Sequence, residues 1–167
     1  DEDAQVFLVT TSERLAKDVS KLIEAQLKGL QRAKIASKAI AQHAVAFVVP
    51  SIDEAIAVAN EIAPEHLTLS VDNPFDYLEQ IRHAGALFLG RYTPPSVADY
   101  IAGPNHVLPT GGTARFFSPL SVNDYVKVSN IVHYTKQALA KVKDPLIRLA
   151  QIEGFDAHAK SAQSRFS

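Results

Sequence analysis

The sequence has no cysteine, no methionine and no tryptophan among its 167 residues. Without cysteine there is no disulfide framework, no thiolate nucleophile and no Cys-based zinc or iron–sulfur centre. Any metal would rest on His, Asp, Glu or Gln, and the cytoplasm is the expected compartment. An excess of charge is missing too, since 17 Lys+Arg stand against 18 Asp+Glu for a formal net charge of −1. That balance excludes the broad basic field with which non-specific nucleic-acid binders displace counterions, so no nucleic-acid partner is expected. No apolar run approaches the ~20 residues that cross a bilayer, and Asp1-Glu2-Asp3 is acidic where a signal peptide opens with basic residues. A soluble protein without membrane association is the expectation. The lack of methionine, with a strand-like run that opens as early as Val6, adds the expectation that the chain begins inside a longer polypeptide.

What is present is 47% apolar residues, and a chain of this size can bury about 70% of its unfolded surface around one core. Val6-Phe7-Leu8-Val9 reads as a strand, and Thr10 with Glu13 reads as a capping box for the helix after it. Leu15, Val19, Leu22, Ile23, Leu27 and Leu30 recur at helical spacing, with Gly29 as a stop. A second helical stretch runs to about Ala41. The continuous apolar run from Ala44 to Val49 predicts a strand covered on both faces. Pro50-Ser51-Ile52-Asp53-Glu54 then starts a helix that must end before Pro64, because a residue preceding proline avoids the α region. Leu67 to Val71 alternates as a half-buried strand does, Pro74 opens a helix that Gly85 ends, and Ala86 to Leu89 is a fourth strand.

Strand–helix alternation predicts an α/β fold, a partial Rossmann-like, mainly parallel sheet with flanking helices. Residues 90–119 then hold four of the seven glycines and five of the nine prolines. Interleaved with Tyr, Val, Leu and Phe, this stretch reads as a long, ordered, functional loop. Val122 to Lys143 and Pro145 to Phe166 read as two helical segments, the second interrupted near Gly154. The expected organisation is an α/β part-domain over 1–120, with its active-site loop at 90–119, and a helical tail over 121–167 that forms a dimer.

Four places carry residue types suited to chemistry. Glu65-His66 sets a carboxylate beside an imidazole, a combination able to act as general base or proton relay near neutral pH; the alternative is a surface Glu and a His that caps helix carbonyls. Asp99-Tyr100 and Asn105-His106 are separated by Ile101-Ala102-Gly103-Pro104, a stretch able to fold back so that both pairs face one pocket, with Asp99 and His106 as the residues suited to a metal. They suit zinc, but a zinc site needs three or four ligands, and a turn cap and a loop histidine are the plainer alternatives. Thr110-Gly111-Gly112-Thr113-Ala114-Arg115 lacks the spacing of a P-loop or dinucleotide fingerprint and reads as a turn. Glu153 and His158, five residues apart, would fall about 140° apart on an unbroken helix and share a pocket only if the chain bends at Gly154. His43, His83 and His133 have no acidic neighbour in sequence and read as structural.

Taken together, Ile62-Ala63-Pro64-Glu65-His66-Leu67, Ala84-Gly85-Ala86-Leu87-Phe88-Leu89-Gly90, Asp99-Tyr100-Ile101-Ala102-Gly103-Pro104-Asn105-His106-Val107-Leu108-Pro109-Thr110 and Glu153-Gly154-Phe155-Asp156-Ala157-His158 resemble the histidinol dehydrogenase family. Such enzymes oxidise L-histidinol through the aldehyde to L-histidine with NAD and zinc. The resemblance implies that Glu65 and His66 are the catalytic acid/base pair, with His66 moving protons and Glu65 activating water. It implies that Asp99 and His158 ligate zinc, and that His106 and Glu153 bind substrate. Glu153 and His158 would complete the site of a partner subunit in a homodimer.

The family is more than twice as long as this chain. Its other two zinc ligands, a Gln and a His, would precede Asp1, and its NAD-binding residues would lie further upstream. The resemblance is therefore to the carboxyl-terminal part of the enzyme, a part expected to be inactive alone. Ala98 departs from the family, in which a Gly commonly precedes the Asp. The competing expectation is a non-catalytic ligand-binding or assembly module that keeps the motifs.

Overall fold

Residues 1–166 are described by a computed structural model, and their contacts group them into two units, Asp1–Tyr125 and Val126–Ser167. In the first unit the apolar runs and the amphipathic segments do alternate, as β1 (Val6–Thr10), α1 (Glu13–Leu27), α2 (Ala33–His43), β2 (Ala44–Val48), α3 (Ile52–Ile62), β3 (His66–Leu69), β4 (Ala86–Leu89) and α4 (Pro95–Tyr100). The class is α/β with parallel strand pairing. The strands do not join into one sheet, however: β1 pairs with β2 and β3 with β4, in two separate two-stranded parallel sheets. Hydrophobic periodicity marks which segments are strands, but only tertiary packing decides their neighbours.

Local chemistry explains most of the element ends. Ser12, not Thr10, caps α1 by accepting from the Leu15 N–H at 3.2 Å. Thr10 instead accepts from the Ser12 N–H, and its side chain thereby holds the turn into the helix. Ser51 caps α3 through the Glu54 N–H at 3.2 Å. At the other end of α3, Ala63 closes the helix with an N–H to the Ala59 carbonyl at 2.9 Å and then turns left-handed, at φ +49°. Pro64 cannot extend the helix, having no N–H.

The apolar run of β2 is not covered on both faces as its composition predicts, for all five residues are exposed. Val45, Phe47 and Val48 lie open, as do Val6 and Phe7 of β1, and a Phe7–Phe47 ring stack with centroids 6.4 Å apart lies across the ribbon. An apolar run reports what can be buried, not what is at hand to bury it. The unit's buried side chains include Ile56, Ala59 and Ala63 of the α3 region and Phe88 of β4, with Thr10 at the end of β1, Ala39 of α2 and Ala114 besides.

The segment expected as a helix from Pro74 to Gly85 is a shorter 3₁₀ turn, Pro74–Gln80. Asn60 of α3 is the cause. Its side chain donates to the Gln80 carbonyl at 2.9 Å and accepts from the N–H groups of Arg82 and His83, so the chain after Gln80 is held out of helical form.

In the second unit the helix expected over 122–143 begins only at Lys136. α5 (Lys136–Ile152) is capped by Thr135, whose side chain accepts from the Ala138 N–H, and it continues through Pro145 where a break was expected. At the end of the first unit, Ser121 and Asp124 close a short 3₁₀ turn, Val122–Tyr125. The β-branched Val126, Val128, Ile131 and Val132 that follow are poor helix formers and lie exposed. α5 stops in a Schellman motif: the Gly154 N–H donates to Gln151 and the Phe155 N–H to Ala150, with Gly154 at φ +77°. α6 (Asp156–Gln163) then starts afresh and buries Ala159 and Ala162. Among the described residues no helix is long and apolar enough to cross a membrane.

The cap on α3 is directly testable. Ser51→Ala removes the side-chain acceptor at the N-terminus of the helix that leads into Pro64, so urea unfolding should show a loss of about 1 kcal/mol with an unchanged m-value.

Candidate active site

Glu65 and His66 stand where the left-handed turn at Ala63 and the rigid Pro64 deliver the chain into β3. Their backbone is fastened to the start of β4: the Gly85 N–H donates to the Pro64 carbonyl at 3.0 Å and the Ala86 N–H to the Glu65 carbonyl at 2.8 Å. The His66 Nδ1 lies 3.5 Å from Glu65 Oε1, within ion-pair range, and its side chain is 29% exposed. Its ring leans on that of Phe88, with centroids 5.6 Å apart. Parallel register puts His66 level with Ala86 and Thr68 level with Phe88, which places all four on one face of the pair. The other ring nitrogen, Nε2, is buried and has no hydrogen-bond partner among the described residues. A buried polar atom left unpaired costs about 1–3 kcal/mol and is worth explaining by function.

Asp99 and His106 are brought together by the loop. After β4 the chain turns at Gly90, and Thr93 donates its hydroxyl to the Leu89 carbonyl at 2.7 Å. The short α4 follows, with Asp99 in its body and not at a cap. Gly103, at φ +94°, reverses the chain. His106 Nδ1 then meets Asp99 Oδ1 at 3.0 Å. The His106 ring also faces that of His66, with centroids 6.4 Å apart. Two carboxylate–imidazole pairs thus share one end of the β3–β4 sheet, the end at which β3 and β4 begin. Ligands in open α/β sheets more often gather at the carboxyl ends of strands. Here the loop after β4 returns to the opposite end and carries the second pair with it.

Sequence reasoning placed Asn105 beside His106 at the pocket but missed the bonds by which it organises this cluster, and missed Phe88 altogether. Asn105 donates through Nδ2 to the Leu120 carbonyl and accepts the Val107 N–H at 2.7 Å, while the Leu120 N–H donates to the Val107 carbonyl at 3.0 Å. These bonds pin the loop just beside His106. A Pro-Asn dipeptide is a turn signal, so Asn105 carried a local cue. Phe88 carried none, because its place under His66 follows from strand register. Thr110 to Arg115 is a turn as expected, and Arg115 donates to the carbonyls of Gly112 and Glu61.

Glu153 and His158 belong to the second unit and lie on either side of Gly154. Glu153 is the C-cap of α5, and His158 is in the first turns of α6, stacked on Phe155 with ring centroids 5.2 Å apart. Both are exposed. As for a metal, Asp99 is paired with His106, and among the described residues no group of three or more His, Asp or Glu side chains is arranged to hold an ion. The described residues therefore do not form a zinc site by themselves. No dinucleotide fingerprint is present to hold NAD.

The family model for histidinol dehydrogenase matches residues 1–166. Histidinol dehydrogenase from Bacillus thuringiensis subsp. konkukian (strain 97-27) is 54% identical over 166 residues, which are 99% of this chain and 39% of that protein. Its counterpart from Caldanaerobacter subterraneus subsp. tengcongensis is 52% identical over 163 residues, 98% of this chain and 38% of that protein. Among solved structures, the crystal structure of histidinol dehydrogenase from Elizabethkingia anophelis superposes with a TM-score of 0.93 at 36% identity, covering 98% of this chain and 38% of that one. The chain spans about 39% of the length of the curated relatives it matches.

Asn105→Ala would remove both loop bonds at once. Its expected effect is faster hydrogen–deuterium exchange over residues 103–108, by about tenfold for the loss of about 1.4 kcal/mol of local stability, with exchange in α3 unchanged.

Proposed function

This chain belongs to the histidinol dehydrogenase family, and on that premise we propose that it is the carboxyl-terminal portion of an enzyme that oxidises L-histidinol through L-histidinal to L-histidine. The observation that carries the proposal is the meeting of Glu65–His66 with Asp99–His106, with a buried and unpaired Nε2 on His66. Support comes also from relatives about half identical over nearly the whole chain, all of them histidinol dehydrogenases by name. The proposal places the enzyme in the cytoplasm and gives it a partly Rossmann-like fold continued by residues outside this chain.

The chemistry assigned to the residues follows from their types and positions. An imidazole with its proton on Nδ1, facing Glu65, keeps its Nε2 lone pair free to take a proton. His66 then accepts the hydroxyl proton of the alcohol in the first oxidation. Once the aldehyde has formed, Glu65 takes a proton from the water that adds to it while the protonated His66 returns its proton to the aldehyde oxygen, and the regenerated His66 then removes a hydroxyl proton of the resulting hydrate in the second oxidation. NAD, when bound, supplies the hydride acceptor, and its binding residues are assigned outside this chain. His106 binds the substrate, oriented by the carboxylate of Asp99 in the present arrangement. Asp99 and His158 are assigned as two zinc ligands whose set is completed elsewhere, with Glu153 contacting substrate across a homodimer. Exposed Leu149, Ile152 and Phe155 around the α5 terminus support contact with a second subunit there.

The direct test is to produce this chain within a polypeptide of the relatives' full length and follow NAD reduction with L-histidinol. A folded, zinc-loaded protein without turnover would overturn the proposal in favour of a non-catalytic module. The chain alone is expected to give no NAD reduction above a metal-free control. In the full-length protein, His66→Ala and His158→Ala should each lower kcat by about 10²–10⁴-fold. Mixing the two variants should restore activity, because at random pairing about half of the dimers carry one site free of both changes. No recovery despite confirmed subunit exchange would place Glu153 and His158 in the site of their own chain.

A further inference from the structure

Gly85 is buried at the entry to β4, yet its φ is not positive. Conformational freedom therefore does not explain the glycine there. Space does. A Cβ at Gly85 would lie 2.6 Å from the Glu65 carbonyl oxygen, 3.3 Å from the Glu65 carbonyl carbon and 3.2 Å from Cδ of Pro109. The first distance is one that real Cβ atoms essentially never show, and the obstacle is backbone, so it cannot be avoided by a change of rotamer. Gly85 also donates its N–H to the Pro64 carbonyl, the peptide that enters Glu65. On its other side Pro109, itself buried, belongs to the loop that carries His106.

Gly85 is thus wedged between the peptide of one carboxylate–imidazole pair and the loop of the other. On the Glu65 side nothing is slack: Ala63 is fully buried at 0% exposure in a left-handed conformation that costs a non-glycine residue about 1–2 kcal/mol, and Pro64 is fixed in φ. On the loop side Asn105 anchors His106 to Leu120. We propose that Gly85 is a positioning residue that sets the separation between the Glu65–His66 pair and the Asp99–His106 pair. The proposal rests on the enzymatic role given above to those four side chains. Any side chain at position 85 would push Glu65 and Pro109 apart and displace His66 from His106, and misplacement of reacting groups by about 1 Å can cost about 100-fold in rate.

The test is Gly85→Ala, with Gly29→Ala as control because the nearest atom to a Cβ there is 3.8 Å away. In this chain, NMR signals of the His66 and His106 rings should both move in Gly85→Ala while those of His43 stay, and Gly29→Ala should move none. In the full-length protein, Gly85→Ala should lower kcat per folded site by about 10–100-fold with KM changed less than about threefold. A folded Gly85→Ala protein with unmoved His66 and His106 signals, or with a raised KM and unchanged kcat, would overturn the proposal. If that variant does not fold, Pro109→Ala takes its place, since it removes the loop-side neighbour and adds no atom beside Glu65. Movement of the His106 signals relative to those of His66 then supports the proposal, and constancy overturns it. Should the unmodified full-length protein fail to oxidise histidinol, the functional assignment falls, while the ring signals still decide whether Gly85 sets the separation.

Discussion

Pro64 has no N–H to give a helix and bars the residue before it from helical backbone, and the placement of the Glu65–His66 pair, against which the rest of the cluster sits, descends from that constraint. It ends α3 at Ile62 and forces the reversal onto Ala63, which adopts the left-handed form usually left to glycine. Burial of the Ala63 methyl offsets part of the strain, at about 0.8 kcal/mol for a carbon of that size. The reversed chain then meets β4, whose first N–H groups hold the carbonyls of Pro64 and Glu65. Glu65 and His66 therefore emerge from backbone that is fixed on both sides, and a pair so held loses little conformational freedom when it meets a substrate.

The second pair is held by different means. Nothing in residues 99–106 is deeply buried, and the Asp99–His106 contact is closed by a glycine turn and by the side chain of Asn105. One pair is thus built into strand backbone and the other is carried on a loop. That division is common where one group must stay fixed and another must meet an arriving molecule, since loops placed by a rigid scaffold tolerate movement at their tips.

The exposed faces of β1 and β2 and the exposed apolar side chains beside Gly154 are unusual for a folded chain with 47% apolar residues. The curated relatives are more than twice as long, and this chain aligns with 39% of the length of one of them.

The elements legible in the sequence were those specified by a few adjacent residues. Ser51 before Ile52, Pro64 after α3, the apolar runs of β1, β2 and β4, and Gly154 after α5 each act through local backbone chemistry, and each is found where that chemistry puts it. Glu65–His66 and Asp99–His106 were legible as residue types suited to proton transfer and binding, and the motifs around them carried the family. Their meeting was not legible, because a ring separation depends on strand register, on Asn105 reaching Leu120 and on the bare Cα of Gly85, all contacts between residues distant in sequence. The 3₁₀ turn at Pro74–Gln80 and the late start of α5 failed local reasoning for two reasons: Asn60 imposes its bonds from another element, and β-branched residues weaken a helix that periodicity alone allows. Sequence by itself determined the strand positions, the Ser51 cap, the breaks at Pro64 and Gly154 and the chemistry available. Tertiary structure alone decided which strands pair, which apolar faces find cover and which side chains meet, because those outcomes depend on the geometry of contacts that no local pattern encodes.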